Sequence, residues 1–152
     1  MSGGFLACKG TVYPWQCDHV GHMNVMWYVG RFDEASWNLL ARVGLTPGYL
    51  RAGARGMAAV EQAISYRREL LAGDIIEIRS RLLEVRDKAV RFVHEMSNGE
   101  SGELAARCEI TAVHMDRSSR KACAFEPAIR DAMAEVMTEV MTDPAGPGVV
   151  HN

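Results

Sequence analysis

The sequence contains no apolar run approaching the roughly 18 residues that a membrane-crossing helix needs, so membrane insertion is not expected. Its opening, MSGGFLACKG, has neither a positively charged start nor a long apolar segment, and Ser2 stands where myristoylation requires glycine. A secretory signal and an N-terminal lipid are both excluded on that reading, and a cytoplasmic chain is expected. No basic run exceeds two residues, and 17 Lys and Arg stand against 19 Asp and Glu for a formal charge of -2. A nucleic-acid partner is therefore not expected. The four cysteines, Cys8, Cys17, Cys108 and Cys123, lack both the density of a disulfide scaffold and the paired short spacing of a zinc module, which predicts free thiols. Internal repeats, a heptad seam and a glycine-rich phosphate loop are also missing.

What is present fits one domain. The 152 residues suffice for one core and are short for two. CKGTVYPW carries a first short strand. The next segment, NVMWYVGRFDEASWNLLARVGL, repeats apolar residues at three-and-four spacing: Val25, Tyr28, Val29, Phe32, Ala35, Leu39, Leu40 and Val43. That spacing predicts a long helix with one wide core-facing side, Asn24 as its N-cap and Gly44 as its stop. Gly30 inside it lowers helix propensity by roughly 1 kcal/mol, and close approach of another backbone is the expected compensation. TPGYLRAGARG then reads as a turn with one short helical stretch.

Four alternating segments follow, beginning MAAVEQAISY, DIIEIRSRLLEV, AVRFVHEM and ELAARCEITAVHMD. Their period of two predicts strands, with Ile76, Ile78 and Leu82 on one face of the second and Val90, Phe92, His94 and Met96 on one face of the third. Asn98-Gly99 is the pair that a tight hairpin prefers. A C-terminal helix is expected from Pro127 through Val140, and a flexible tail over 142–152. A single domain over 1–141 results, in which an antiparallel meander needs the early helix to cover its apolar face.

The polar stretch WQCDHVGHMN carries the chemistry-bearing residues. Cys17, His19 and His22 could ligate zinc with Asp18 as a fourth, but Cys17, Asp18 and His19 are consecutive, and adjacent side chains diverge in extended chain. Cys17 could also be a nucleophile with His19 or His22 as base. The plainest alternative is that Asp18 binds loop backbone and His22 is a satisfied polar residue. Against it stands a carboxylate feeding through Gly21 into a helix N-terminus, where unpaired N–H groups favour negative charge.

WQCDHVGHMNVMWYVGRFDEA resembles the opening signature of the hotdog-fold acyl-CoA thioesterases of the 4-hydroxybenzoyl-CoA thioesterase-like family, with Asp18, Gly21 and Tyr28 in the family's places. ISYRREL followed by GD extends the likeness. The resemblance implies an α+β hotdog fold, a long central helix wrapped by a mainly antiparallel five-stranded sheet, plus the C-terminal helix. It implies hydrolysis of an acyl-CoA thioester, with Asp18 as nucleophile or general base and the Val25 backbone N–H as oxyanion donor. His22 and Asn24 would orient Asp18 or water, and Gly21 and Tyr28 would line the substrate site. Gln16 departs from the second acid that many members carry. Arg86 and Lys88, in the turn EVRDKAV, stand where the family binds the nucleotide of coenzyme A. The same resemblance implies a homodimer or dimer of dimers, no metal, and no cofactor beyond the coenzyme A of the substrate. A 3-hydroxyacyl-thioester dehydratase of the same fold and a non-catalytic acyl- or aromatic-ligand binder remain as alternatives.

Overall fold

In the computed structural model, residues 3–142 are described. The elements run β1 (Phe5–Thr11), α1 (Val25–Arg42), α2 (Pro47–Ala52), β2 (Arg55–Tyr66), β3 (Ile75–Val85), β4 (Ala89–Asn98), β5 (Leu104–Asp116), β6 (Lys121–Ala122) and α3 (Pro127–Thr142). All pairings are antiparallel, in the order β1-β3-β4-β5-β2, with the two-residue β6 added to β5. The sheet curls around α1, giving the expected hotdog fold. The sixth strand is an addition to the five expected, and it is too short to leave an alternating pattern in the sequence.

The Asn24 side chain accepts from Met26 N at 3.0 Å and so caps α1. At the other end Gly44 takes φ +98°, and Leu45 N returns to Leu40 O at 3.0 Å, which closes the helix. Tyr28, Phe32, Ala35, Leu39 and Leu40 enter the core, with Phe32 and Leu39 fully buried against Ile76, Ile78, Phe92 and Met96. Phe32, Leu39 and Leu40 each contribute about 1.5–3 kcal/mol through removal from water.

Three local expectations change. Val25 and Val29 are 56% and 38% exposed rather than in the core. They share an outward stripe of α1 with Met26, Asp33 and Trp37 because the buried arc is narrower than the apolar spacing suggests. A side chain at Gly30 would meet nothing within 4 Å, so no backbone approaches it inside the chain. Asn98-Gly99 does not form a two-residue turn either. Instead the Asn98 carboxamide accepts from Glu100 N and Ser101 N, and Gly102 supplies the positive φ of a wider loop. The tail from 143 onward lies outside the described residues. No described helix is long and apolar enough to cross a membrane.

Candidate active site

The loop before α1 is a miniature hairpin. Cys17 bridges Met23, Asp18 N donates to His22 O at 3.2 Å, and Gly21 N to Asp18 O at 3.0 Å. Gly21 makes this possible through φ +98°, and no other group crowds it. Gln16 clamps the loop's base, its side chain accepting from Tyr13 N at 2.9 Å and its carbonyl from Asn24 N at 2.8 Å. Where many relatives by signature carry an acid, this chain thus has a buried structural amide.

Asp18 accepts from Val20 N at 2.9 Å through Oδ1 and from Asn24 Nδ2 at 2.8 Å through Oδ2. These bonds, that from Asn24 foremost and then that from Val20, hold its carboxyl below the usual range, so it is ionised at neutral pH. Asn24 therefore does two things with one amide: its oxygen caps the helix and its nitrogen holds the carboxylate. Met26 N and Trp27 N are both taken up by Asn24. Among the described residues the Val25 N–H has no acceptor, the condition an oxyanion donor requires.

Replacing Asn24 by alanine is expected to lower stability by about 1 kcal/mol through the lost cap and turnover through the released carboxylate. Serine should restore the melting temperature but not the turnover. If serine restores both, Asn24 serves the helix alone.

Beside this loop lies a groove of about 270 Å³ lined by His22, Met23, Val25, Tyr28, Tyr66 and the segment Arg67–Glu69. His22 faces Glu69, 3.6 Å away, and makes no hydrogen bond to Asp18 through its ring. Tyr28 is buried with its ring edge-on to Tyr66 at 5.1 Å, and burial pushes its phenol pKa up. Tyr66 and the arginines after it went unread as lining residues, although ISYRREL contains them, because an alternating strand does not reveal which side faces a helix start.

The structure brings Asp18, Gly21, Asn24 and Val25 together, with His22 and Tyr28 on the neighbouring groove. It places Arg86 and Lys88 in the β3–β4 turn, at the far end of β3 from Asp74, which receives the Val12 N–H. The 11 residues of β3 put roughly 33 Å between the two ends. Arg86 is there gripped by Glu84 at 3.0 and 3.1 Å. Cys17 directs its thiol toward Tyr13 O, and among the described residues no three His, Cys, Asp or Glu side chains group as metal ligands.

Residues 12–133 match the model of the thioesterase-like superfamily. An L-carnitine dehydrogenase/betainyl-CoA thioesterase of Agrobacterium fabrum is 31% identical over 135 residues, which are 87% of this chain and 28% of that protein. The chain spans about a quarter of the length of the curated relatives it matches first. A betainyl-CoA thioesterase of Pseudomonas aeruginosa is 25% identical over 91% of this chain and 87% of its own. A Staphylococcus aureus protein solved in complex with CoA has the same fold, with TM-score 0.84 and 19% identity over 100% of this chain and 92% of that one. With a family match that spans most of its length and takes in both the Asp18 loop and α1, the chain belongs to the thioesterase-like superfamily.

Proposed function

We propose that the protein is an acyl-CoA thioesterase, with Asp18 as the reacting carboxylate and the Val25 N–H as oxyanion donor. The observation that carries this reading is the Asp18–Asn24–helix-start arrangement: an ionised, oriented carboxylate beside a backbone donor that has no acceptor. Asp18 either attacks the thioester carbon, forming an anhydride as the C–S bond breaks and coenzyme A leaves as thiolate, after which water opens the anhydride to the free acid and the regenerated carboxylate, or takes a proton from a water that attacks the thioester carbon and expels the thiolate directly. In both routes the carbonyl oxygen gains negative charge that the Val25 amide stabilises. The groove beside it, about 270 Å³, is just below the usual range of ligand pockets and suits a small acyl group. The direct test is thiol release from a panel of acyl-CoA thioesters by the purified chain. A 3-hydroxyacyl dehydratase would release none, and an enzyme that hydrates or binds every thioester without freeing thiol removes the reading.

The working unit we infer is a homodimer joined at β2. That strand has β5 on one side and no partner on the other among the described residues. Ala59 through Ala63 are exposed, and Val60 is 62% so. The outward stripe of α1, including Met26 at 64% and Trp37 at 42% exposure, adds further uncovered apolar surface. A long apolar edge of this kind is an open template for strand pairing, and a second copy satisfies it with two-fold symmetry. Val60→Lys is expected to halve the mass seen by light scattering and to reduce turnover at least tenfold. A lysine variant that keeps the parental mass would place the contact elsewhere.

A further inference from the structure

A second cluster of reactive side chains lies away from the Asp18 loop, where β6 is laid beside β5. At Met115 and Asp116, β5 has β2 on one side and β6 on the other. The cluster is therefore across β5 from β2, whose free edge carries the inferred dimer contact. Two bonds lock Cys123 to His114: Cys123 N donates to His114 O at 2.9 Å, and His114 Nδ1 lies 3.0 Å from Cys123 O. A carbonyl oxygen only accepts, so Nδ1 carries a proton. The same Nδ1 is 3.4 Å from Cys123 Sγ, and its N–H is shared between the carbonyl and the sulfur.

The ring that holds this N–H is fully buried. It packs 4.9 Å from the ring of Phe125 and 6.2 Å from that of Tyr49. Its other nitrogen, Nε2, lies 3.1 Å from Tyr49 Oη, and Tyr49 Oη lies 3.4 Å from a Glu126 carboxylate oxygen. A chain Glu126–Tyr49–His114–Cys123 results. When the ring takes a second proton, Nε2–H donates to the Tyr49 oxygen and the Tyr49 hydroxyl donates to the carboxylate. Every group in the chain is then still bonded, so the ring has a place for the proton that a thiol gives up.

The other thiols lack this company. Among the described residues Cys123 is the one cysteine with a ring nitrogen within hydrogen-bonding distance of its sulfur. Burial pushes the thiols of Cys8 and Cys108 up to about 11, with the Glu34 carboxylate adding to the effect at Cys8. Cys17 meets only a carbonyl, Tyr13 O at 3.9 Å. Cys17 and Cys123 are both half-buried, so imidazole contact rather than access separates them.

We propose that Cys123 is a peroxide-reactive thiol, activated by His114 and oxidised to a sulfenic acid. The thiolate is the attacking form of cysteine, and a ring N–H directed at sulfur stabilises it. Sγ attacks one oxygen of hydrogen peroxide; the S–O bond forms, and the O–O bond breaks with its electron pair on the departing hydroxide. That hydroxide takes up the proton released by the thiol and leaves as water. Sulfur is thereby oxidised by two electrons and the peroxide reduced by two.

The test exposes the whole chain at neutral pH to a small excess of hydrogen peroxide, with dimedone to trap sulfenic acid, and follows all four cysteines by peptide mass analysis. Trapping at Cys123 is expected to be about tenfold faster than at Cys17, or more, and slower still at Cys8 and Cys108. Tyr49→Phe keeps the ring beside His114 and removes only the hydroxyl at Nε2. It is expected to slow trapping at Cys123 about threefold or more while leaving Cys17 unmoved, and His114→Gln to slow it about tenfold or more. Should His114→Gln fail to fold, Tyr49→Phe decides alone. Trapping at Cys17 as fast as at Cys123 overturns the proposal, and so does a Cys123 rate that every folded variant leaves unchanged.

Discussion

Asp18→Asn is expected to reduce turnover by about 10² to 10⁴, the range for a lost nucleophile or general base, while leaving the melting temperature close to that of the parent. The geometry makes the variant clean. Asparagine keeps an oxygen for Val20 N, which holds the turn; what it loses is the charge and the acceptor that meets Asn24 Nδ2. Since the carboxylate's low pKa comes from those two neutral donors, activity should also persist down to pH values below the ordinary Asp range before the acid limb appears. In single turnover in ¹⁸O-labelled water followed by peptide mass analysis, label in the Asp18 side chain establishes the anhydride route with water opening the anhydride at the Asp18 carbonyl, since general-base catalysis places none there. Turnover within tenfold of the parent, in a folded variant, would reduce Asp18 to the loop-binding residue that its hydrogen bonds alone describe.

Those two bonds show why the sequence could identify the residue but not its support. Asp18 and Gly21 stand in a short contiguous motif, and contiguous motifs are legible. That Asn24 reaches back six residues to Oδ2 while capping α1 depends on a loop closed by the Cys17–Met23 bridge, which leaves no periodic trace. The fold followed the same division. Helix and strand periodicities predicted α1, α3 and the four long strands, since each buries one face over many residues. The exposed stripe of α1 was misread because Val25 and Val29 are apolar for a surface that one chain leaves uncovered. The pairing of Cys123 with His114 escaped notice for another reason: only the two-residue β6, laid beside β5, brings thiol and ring together.

Acidification from pH 6.5 to about 4 should remove on the order of 3 kcal/mol of stability through one histidine. His94 sits on the core face of β4 and is fully buried. Its ring lies 5.9 Å from that of Phe32 and 5.2 Å from that of Phe92. Ser36 Oγ donates its proton to Phe32 O at 2.9 Å, so at 2.8 Å it must accept from His94 Nε2–H. Nδ1 then carries the lone pair and receives the Ser80 hydroxyl at 2.5 Å. The neutral ring is thus fully bonded. A second proton would turn Nδ1 into a donor facing the Ser80 hydroxyl, and Cys108, opposite His94 on β5, has its thiol pKa pushed up to about 11 by burial and supplies no negative charge. Burial accordingly holds His94 down at about 4. The unfolded chain, with its histidine near 6.5, binds more protons than the folded one between those values, so stability is complete above pH 6.5 and declines as the pH falls toward 4. Asp18 and Asp116, whose folded pKa values lie below the usual carboxylate range, add their own acid losses beneath that window. Urea unfolding at intervals between pH 7.5 and 4.5 measures the slope. His94→Gln, less stable at neutral pH through its altered packing, should flatten that slope, and a variant that keeps the parental slope would assign the acid sensitivity to another group.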